Sequence, residues 1–330
     1  MTGHDTGLWG MADVMTPMAI RVAATLGVAD RIAAGTRTAP ELAKETGAHA
    51  EALDRVMRHL AAVGVLVRDA SGRYEVSEKG GPLRSDHPGS IRPFLDIDGA
   101  MGRGDVAFAN LLHSVRTGEA AFTAQFGVSF WDDLAADPER RASFNTQMGY
   151  DAMGRAHAVS QAFDWGSLGR LVDVGGGNGT VLAALLKAHE GLKGTVLDLP
   201  DTVAEARETI AAQGLADRCD VVAGSFFDPL PEGADGYLLS AVLHDWDDEA
   251  SRSILRRCAE AAGGGRVFVA ERIGPDGELH TETDLRMLAY LGGGRERGVA
   301  ELAGLAADAG LRVAAVHPAP PLSVVELAAA

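Results

Sequence analysis

LVDVGGGNGT, residues 171–180, is the stretch whose reading decides the fold. Leu171, Val172 and Val174 read as a short buried strand, and the chain then enters a turn rich in glycine. Glycine tolerates positive φ and lets the backbone approach a ligand closely. The usual dinucleotide spacing, G-x-G-x-x-G, requires a glycine where Thr180 stands. The spacing G-x-G-x-G fits Gly175, Gly177 and Gly179, with Asp173 two residues upstream. No Gly-Lys-Ser/Thr follows, so this is not a P-loop. An acid inside the strand sits poorly beside a pyrophosphate and better beside an amine or hydroxyls. Asp198 closes the next strand, VLDLP, where a carboxylate can accept hydrogen bonds from both ribose hydroxyls.

Working outward, short apolar runs recur after residue 170: RLVDVGG, GTVLDL, CDVVAG, DGYLLSAVL and RVFVAE. Helical stretches separate them, which implies parallel strands joined by right-handed crossovers. The last two runs, RVAAVHP and LSVVELA, have only a short proline-rich turn between them. They are too close for a crossover and should pair antiparallel. The expected class is α/β: a Rossmann-like, mostly parallel sheet ending in an antiparallel hairpin.

The N-terminal part reads differently. Thr16-Pro17 can open a helix, with Thr16 as its cap. Thr38 and Glu41 stand at capping-box spacing. Leu53, Val56, Met57, Leu60 and Val63 recur at helical spacing and mark one buried face, and Gly64 can stop that helix. VGVLVRDASGRYEVSEKG then reads as two strands around Ala70-Ser71-Gly72. Helices followed by a β-wing form a winged-helix pattern. The expected domains are 1–95, winged-helix-like; 96–165, helical and rich in aromatics; and 166–330, the Rossmann-like domain.

The chain of 330 residues carries a net charge of −16, which opposes binding to nucleic acid or to an anionic membrane. Two cysteines, Cys219 and Cys258, are too few for a disulfide framework and fit a reducing, cytoplasmic setting. The opening MTGHDTGLWG has no apolar core of the kind a secretion leader needs, and no apolar run approaches the length of a membrane span.

DVGGGNG (173–179), LDLP (197–200), GSFFDPLP (224–231), LHDWDDE (243–249), VAERI (269–273) and GGGRERG (292–298) occur in this order. Together they resemble the S-adenosylmethionine-dependent O-methyltransferases of the winged-helix, caffeate-type family, which includes bacterial enzymes that tailor aromatic natural products. The resemblance covers nearly the whole chain. It implies S-adenosylmethionine as cofactor, a seven-stranded sheet, homodimerisation through the N-terminal domain, and a small aromatic, polyketide-like acceptor. It also implies His244 in LHDW as the base, with Glu271 and Glu296 flanking it, and FNTQMGYDAM (144–153) as a helix lining the acceptor pocket. Two positions depart from the family pattern. Ser225 stands where the family usually has an acid contacting the cofactor, and Ser240 where plant relatives carry lysine.

The chemistry is consistent with these positions. A phenol with a pKa of ~10 resists ionisation at pH 7 by roughly 4 kcal/mol, which a positioned base can offset. His244 follows the fourth strand of the sheet and Glu271 ends the fifth, on the carboxyl edge where such sheets hold their sites. A carboxylate beside His244 can fix its tautomer and stabilise the imidazolium. Trp246 can stack on a purine, and Phe226 can add an apolar wall. Asp173, Gly175, Gly177, Asp198, Ser225, Phe226, Ser240 and Trp246 are therefore the candidate cofactor contacts. Phe144, Met148 and Asp151 share one helical face and are the acceptor candidates; the same stripe can also be read as domain packing. Asp247 and Asp248 read as caps of the following helix rather than metal ligands, and no metal is expected.

Three other readings compete. A few members of this family bind the cofactor but hydroxylate or decarboxylate polyketides. A winged-helix regulator is opposed by the charge. An NAD-dependent oxidoreductase is opposed by the missing third glycine.

Overall fold

A computed structural model describes residues 7–273 and 280–330. Residues 1–6, part of the stretch read above for a leader, lie outside the described residues. The chain divides into two compact units: residues 1–106 with 137–144, and residues 107–136 with 145–330.

The first unit is mainly helical. Helices Met15–Thr25, Val28–Ala33, Ala39–Thr46 and Ala50–Ala62 precede an antiparallel pair, β1 (Leu66–Arg68) and β2 (Tyr74–Val76). Leu53, Met57, Leu60 and Val63 are buried as their spacing predicts, while Val56 is half-buried. Gly64, at φ +78°, ends the turn where only glycine is unstrained. The capping box of Thr38 and Glu41 is present, with Thr38 Oγ1 donating to Glu41 Oε2 over 2.6 Å. Helix Met15–Thr25 starts earlier than expected, after a short helix Leu8–Met11. Asp13, not Thr16, accepts from the leading amides, those of Met15 and Thr16 at 2.9 and 3.1 Å. Thr16 Oγ1 instead lies 3.0 Å from His59 Nε2.

In the second unit seven strands form one sheet: β3 (Arg170–Val174), β4 (Lys193–Asp198), β5 (Cys219–Ala223), β6 (Gly236–Ser240), β7 (Arg266–Glu271), β8 (Leu311–Ala319) and β9 (Leu322–Ala329). Their order is β5-β4-β3-β6-β7-β9-β8. The first five are parallel, and β9 runs antiparallel to both β7 and β8. Successive strand residues face opposite ways, and the two faces bury separate cores. Leu171, Leu238, Phe268 and Ala270 belong to one core, with Trp165 and helix Thr180–Ala188. Val172, Val174, Tyr237, Leu239, Val267 and Val269 belong to the other, with helices Asp248–Ala262 and Val299–Asp308. The result is a three-layer α/β/α domain. The order reverses between β3 and β6, and a switch of this kind opens a crevice at the carboxyl edge of the sheet.

Candidate active site

The glycine loop leaves β3 at this switch point. Gly175 and Gly177 take positive φ, +71° and +59°. A Cβ on Gly175 would stand 3.1 Å from Val242 Cγ2 and 3.4 Å from Phe226 Cε1, whereas one on Gly177 would meet nothing within 4 Å. The loop amides are already engaged. Gly175 and Gly176 donate to the Leu197 carbonyl over 2.8 and 3.2 Å, and Gly177 donates to Asp198 Oδ2 over 2.8 Å. These amides do not form a cradle for a pyrophosphate. Asp198 Oδ1 also accepts from its neighbour, the Leu199 amide, over 2.7 Å.

Asp173 lies on the same sheet face as Leu171 and is fully buried. Neither carboxylate oxygen has a hydrogen-bond partner among the described residues. Burial pushes its pKa up to about 7, against the pull of Arg155, and Asp198 adds to the rise. Arg155, on the long helix Pro138–Ala162, donates from Nε to Ser240 Oγ over 3.2 Å and pairs with Asp151 one turn earlier. The other oxygen of Asp151 accepts from Arg272 at 2.7 Å. Asp151 thus holds two arginines. Arg155 was missed in the sequence because the groups that bring it to the site lie far from it in the chain.

His244 sits in the turn Leu243–Asp245, directly after β6. Its Nδ1 lies 2.8 Å from Glu271 Oε2 and 3.8 Å from Glu296 Oε1, and its Nε2 lies 3.4 Å from Asp245 Oδ1. The Glu271 contact is a close ion pair. The other oxygen of Glu271 accepts from the amides of Val242 and Leu243, over 3.2 and 3.0 Å. Glu296 is 1% exposed, and neither of its carboxylate oxygens has a hydrogen-bond partner among the described residues.

Burial, the strongest single influence on His244, lowers its pKa. Glu271, Asp245 and Glu296 together outweigh it and raise the group to about 10. The ring of carboxylates thus takes the imidazole well above the ordinary histidine value of ~6.5, in line with the stabilised imidazolium expected beside a carboxylate. Burial pushes Glu296 up to about 7 and Asp245 up to about 6, while His244 and the turn amides hold Glu271 below its usual range despite burial. His244, Glu271 and Glu296 also offer ligand-type atoms within 4.8 Å of one another, close enough for one cation.

Trp246 packs edge-on against Phe226 and Phe227 and lies nearly parallel to Trp131, with centroids 6.2 Å apart. Trp131 and Trp246 help line a cavity of about 320 Å³ beside the His244 turn. Ser225 Oγ accepts from the Phe227 amide at 3.2 Å. Met148 and Asp151 fall in the second unit and Phe144 in the first, all on one continuous helix. The two neighbouring acids divide their work. Asp247 caps helix Asp248–Ala262 through the Ala250 amide, as expected, but Asp248 binds Arg295 and Arg297 instead of capping.

A glycine loop with spent amides, set beside a buried histidine between carboxylates, matches one family. The O-methyltransferase domain covers residues 108–312, and the O-methyltransferase dimerisation domain covers residues 9–80. The chain belongs to the S-adenosylmethionine-dependent O-methyltransferases. It is similar to 2,7-dihydroxy-5-methyl-1-naphthoate 7-O-methyltransferase of Streptomyces carzinostaticus, with 54% identity over 98% of this chain and 97% of that protein. It is also similar to the aclacinomycin 10-hydroxylase RdmB of Streptomyces purpurascens, with 42% identity over 94% of this chain and 85% of the other. The crystal structure of the O-methyltransferase NcsB1 from neocarzinostatin biosynthesis, in complex with S-adenosylmethionine and 2-hydroxy-5-methyl naphthoic acid, superposes with a TM-score of 0.92 at 53% identity, covering 99% of this chain and 100% of that one. The mostly parallel sheet of this O-methyltransferase, with its antiparallel terminal hairpin, is what the strand spacing predicted. Among the described residues no helix is long and apolar enough to cross a membrane.

Proposed function

We propose that this O-methyltransferase methylates a phenolic hydroxyl on a small fused aromatic of the hydroxynaphthoate type, with His244 as general base. The observation that carries the reading is the buried cluster of His244, Glu271 and Glu296 on the same sheet edge as the glycine loop. The acceptor class is supported by the naphthoate methyltransferase that is 54% identical and by the naphthoic acid bound in NcsB1.

The residues present fit the cofactor. Asp173 offers two buried, unpartnered oxygens to an ammonium, and Arg155, held by Ser240 and Asp151, brings positive charge for a carboxylate. Asp198 closes β4 beside the loop, the position from which a carboxylate accepts from ribose hydroxyls, Gly175 and Gly177 supply the loop's positive-φ turns, and Phe226 with Trp246 supplies an apolar wall beside Ser225. When bound, the cofactor supplies an electrophilic methyl group on a sulfonium. Met148 and Phe144 are candidates for the acceptor wall, and Asp151 acts through its arginines.

With the Nδ1 proton held toward Glu271 and Glu296, the Nε2 lone pair of His244 is left to take the phenolic proton. The carboxylates stabilise the imidazolium that results, which is the same influence that raises its pKa. A base near 10 is closely matched to a phenol of ~10, so the proton moves with little free-energy change. At neutral pH the neutral imidazole is the scarce form, so turnover rises with pH.

The exposed apolar run Leu8, Trp9, Met11, Val14 and Met15 lies in or beside the dimerisation domain and supports a homodimer. Two buried, free cysteines fit a reducing cytoplasm. The test of function is incubation with S-adenosylmethionine and a hydroxynaphthoate. Gain of one methylene with formation of S-adenosylhomocysteine supports methyl transfer. Gain of one oxygen would favour a second reading, hydroxylation, which has the 42% identical hydroxylase behind it.

A further inference from the structure

Arg297 is a buried cation next to Glu296 in sequence, its side chain 2% exposed. Its donors are shared between one short turn, the Asp248 carboxylate and the Arg295 carbonyl, the last at 3.4 Å. Nη1 donates to the Leu243 carbonyl over 2.8 Å, and Nη2 donates to the Trp246 carbonyl over 2.7 Å. Nε and Nη2 also reach Asp248 Oδ1, at 3.0 and 2.9 Å. Leu243 and Trp246 bracket His244 in the chain. From the opposite polarity, Glu271 Oε1 accepts the amides of Val242 and Leu243. The turn is thus gripped by its carbonyls from one side and by its amides from the other.

The turn needs such a grip. Ala241 enters it at φ +55°, which is strained for a residue with a side chain. Arg297 is not placed to favour helix Asp248–Ala262, because a cation near a helix N-terminus opposes the helix dipole. Asp248 offsets that charge, and each terminal nitrogen of the guanidinium makes its shortest bond to a carbonyl of the turn.

We infer that Arg297 is a positioning residue for the methyl-transfer step, holding the 243–246 turn so that His244 meets Glu271 and Glu296. This rests on the reading of His244 as base. Lysine could satisfy one carbonyl but not the fork. A misplacement of the base by about 1 Å can lower turnover on the order of 10²-fold.

The experiment compares Arg297→Gln, Arg297→Lys and Asp248→Asn with His244→Ala, measuring kcat, acceptor KM, S-adenosylhomocysteine affinity and the pH profile of kcat. Arg297→Gln should lower kcat about 10²-fold with KM and affinity unchanged, and should move the acid limb to lower pH as His244 loses its carboxylates. Arg297→Lys should fall between it and the native enzyme. In the His244→Ala background Arg297→Gln should cause no further loss, because non-additivity reports action through one group. An equal loss in both backgrounds, or native kcat and pH profile in a folded Arg297→Gln, would overturn the inference. If that variant does not fold, Arg297→Lys and Asp248→Asn decide, and native turnover in both overturns it. Full turnover in His244→Ala would instead sink the base reading.

Discussion

Glu271 divides its carboxylate between His244 and the backbone that carries His244: Oε2 stands 2.8 Å from Nδ1, while Oε1 accepts the Val242 and Leu243 amides. One side chain at the end of β7 therefore sets both the charge of the base and the path of its turn.

Glu271→Gln separates these two roles, since the amide oxygen can still accept from the turn. Among the influences on His244 that raise its pKa, Glu271 is the largest. Rate is lost as pH falls through the pKa of the base. With Glu271 neutral, that pKa falls toward its ordinary value, so the acid limb of kcat/KM for the acceptor should move to lower pH. A limb that stays in place in this variant would disconnect Glu271 from the base.

Asp173 should link cofactor binding to pH. Its folded pKa is near 7, raised by burial, and an ammonium beside it would lower that value. Binding of S-adenosylhomocysteine near pH 6 should therefore release a proton, and affinity should rise as pH climbs toward 7. Calorimetry in buffers of different ionisation heat checks this. Asp173→Asn should bind without proton release; proton release of native size in that variant counts against the assignment.

Stability of the ligand-free protein should fall as pH rises through about 7. Asp173 and Glu296 both have folded pKa values raised by burial to about 7. Their contribution is complete below the unfolded carboxyl pKa of ~4 and is lost as pH rises through the folded value. His244, raised to about 10, adds to the fall above its unfolded pKa of ~6.5, because there only the folded state still holds its proton. The melting temperature should be lower at pH 8 than at pH 5.5 in the native protein, and the gap should be smaller in Glu296→Gln, where Asp173 and His244 alone sustain it. A native protein more stable at the higher pH would contradict this.

Much of the site was legible in the sequence because its parts lie at strand ends. Asp173, Asp198, His244 and Glu271 follow or close apolar runs, and a parallel sheet brings such positions to one edge. Glu296 came from the resemblance, and its burial was invisible to composition. Arg155 and Arg297 were not legible as site residues, because their partners Ser240 and Leu243 are remote in sequence. The Thr16 cap failed because Asp13 competes for the same amides from outside the helix. The extent of the rise in the histidine pKa was not legible, because its three carboxylates converge only in the fold.

Gly175→Ala should weaken cofactor binding more than Gly177→Ala. Both positions hold positive φ, so each substitution costs about 1–2 kcal/mol of backbone strain. Only at Gly175 does the added Cβ press on Val242 and Phe226, the latter a proposed wall of the cofactor site. Titration with S-adenosylhomocysteine distinguishes the two; equal losses would count against a tight fit at Gly175.

Activity should survive a chelator. An imidazolium at His244 balances Glu271, and burial favours the neutral form of Glu296 below about 7, so the three donors need no cation. Loss of turnover in EDTA that a divalent ion restores would replace the proton-transfer account with a metal-assisted one.

The central claim is that His244 removes the acceptor proton without holding the cofactor. The direct measurement is kcat for His244→Ala beside its affinity for S-adenosylhomocysteine. The account predicts a fall in kcat of about 10²–10⁴-fold with native affinity. Native turnover, or a loss explained entirely by failed cofactor binding, would contradict it.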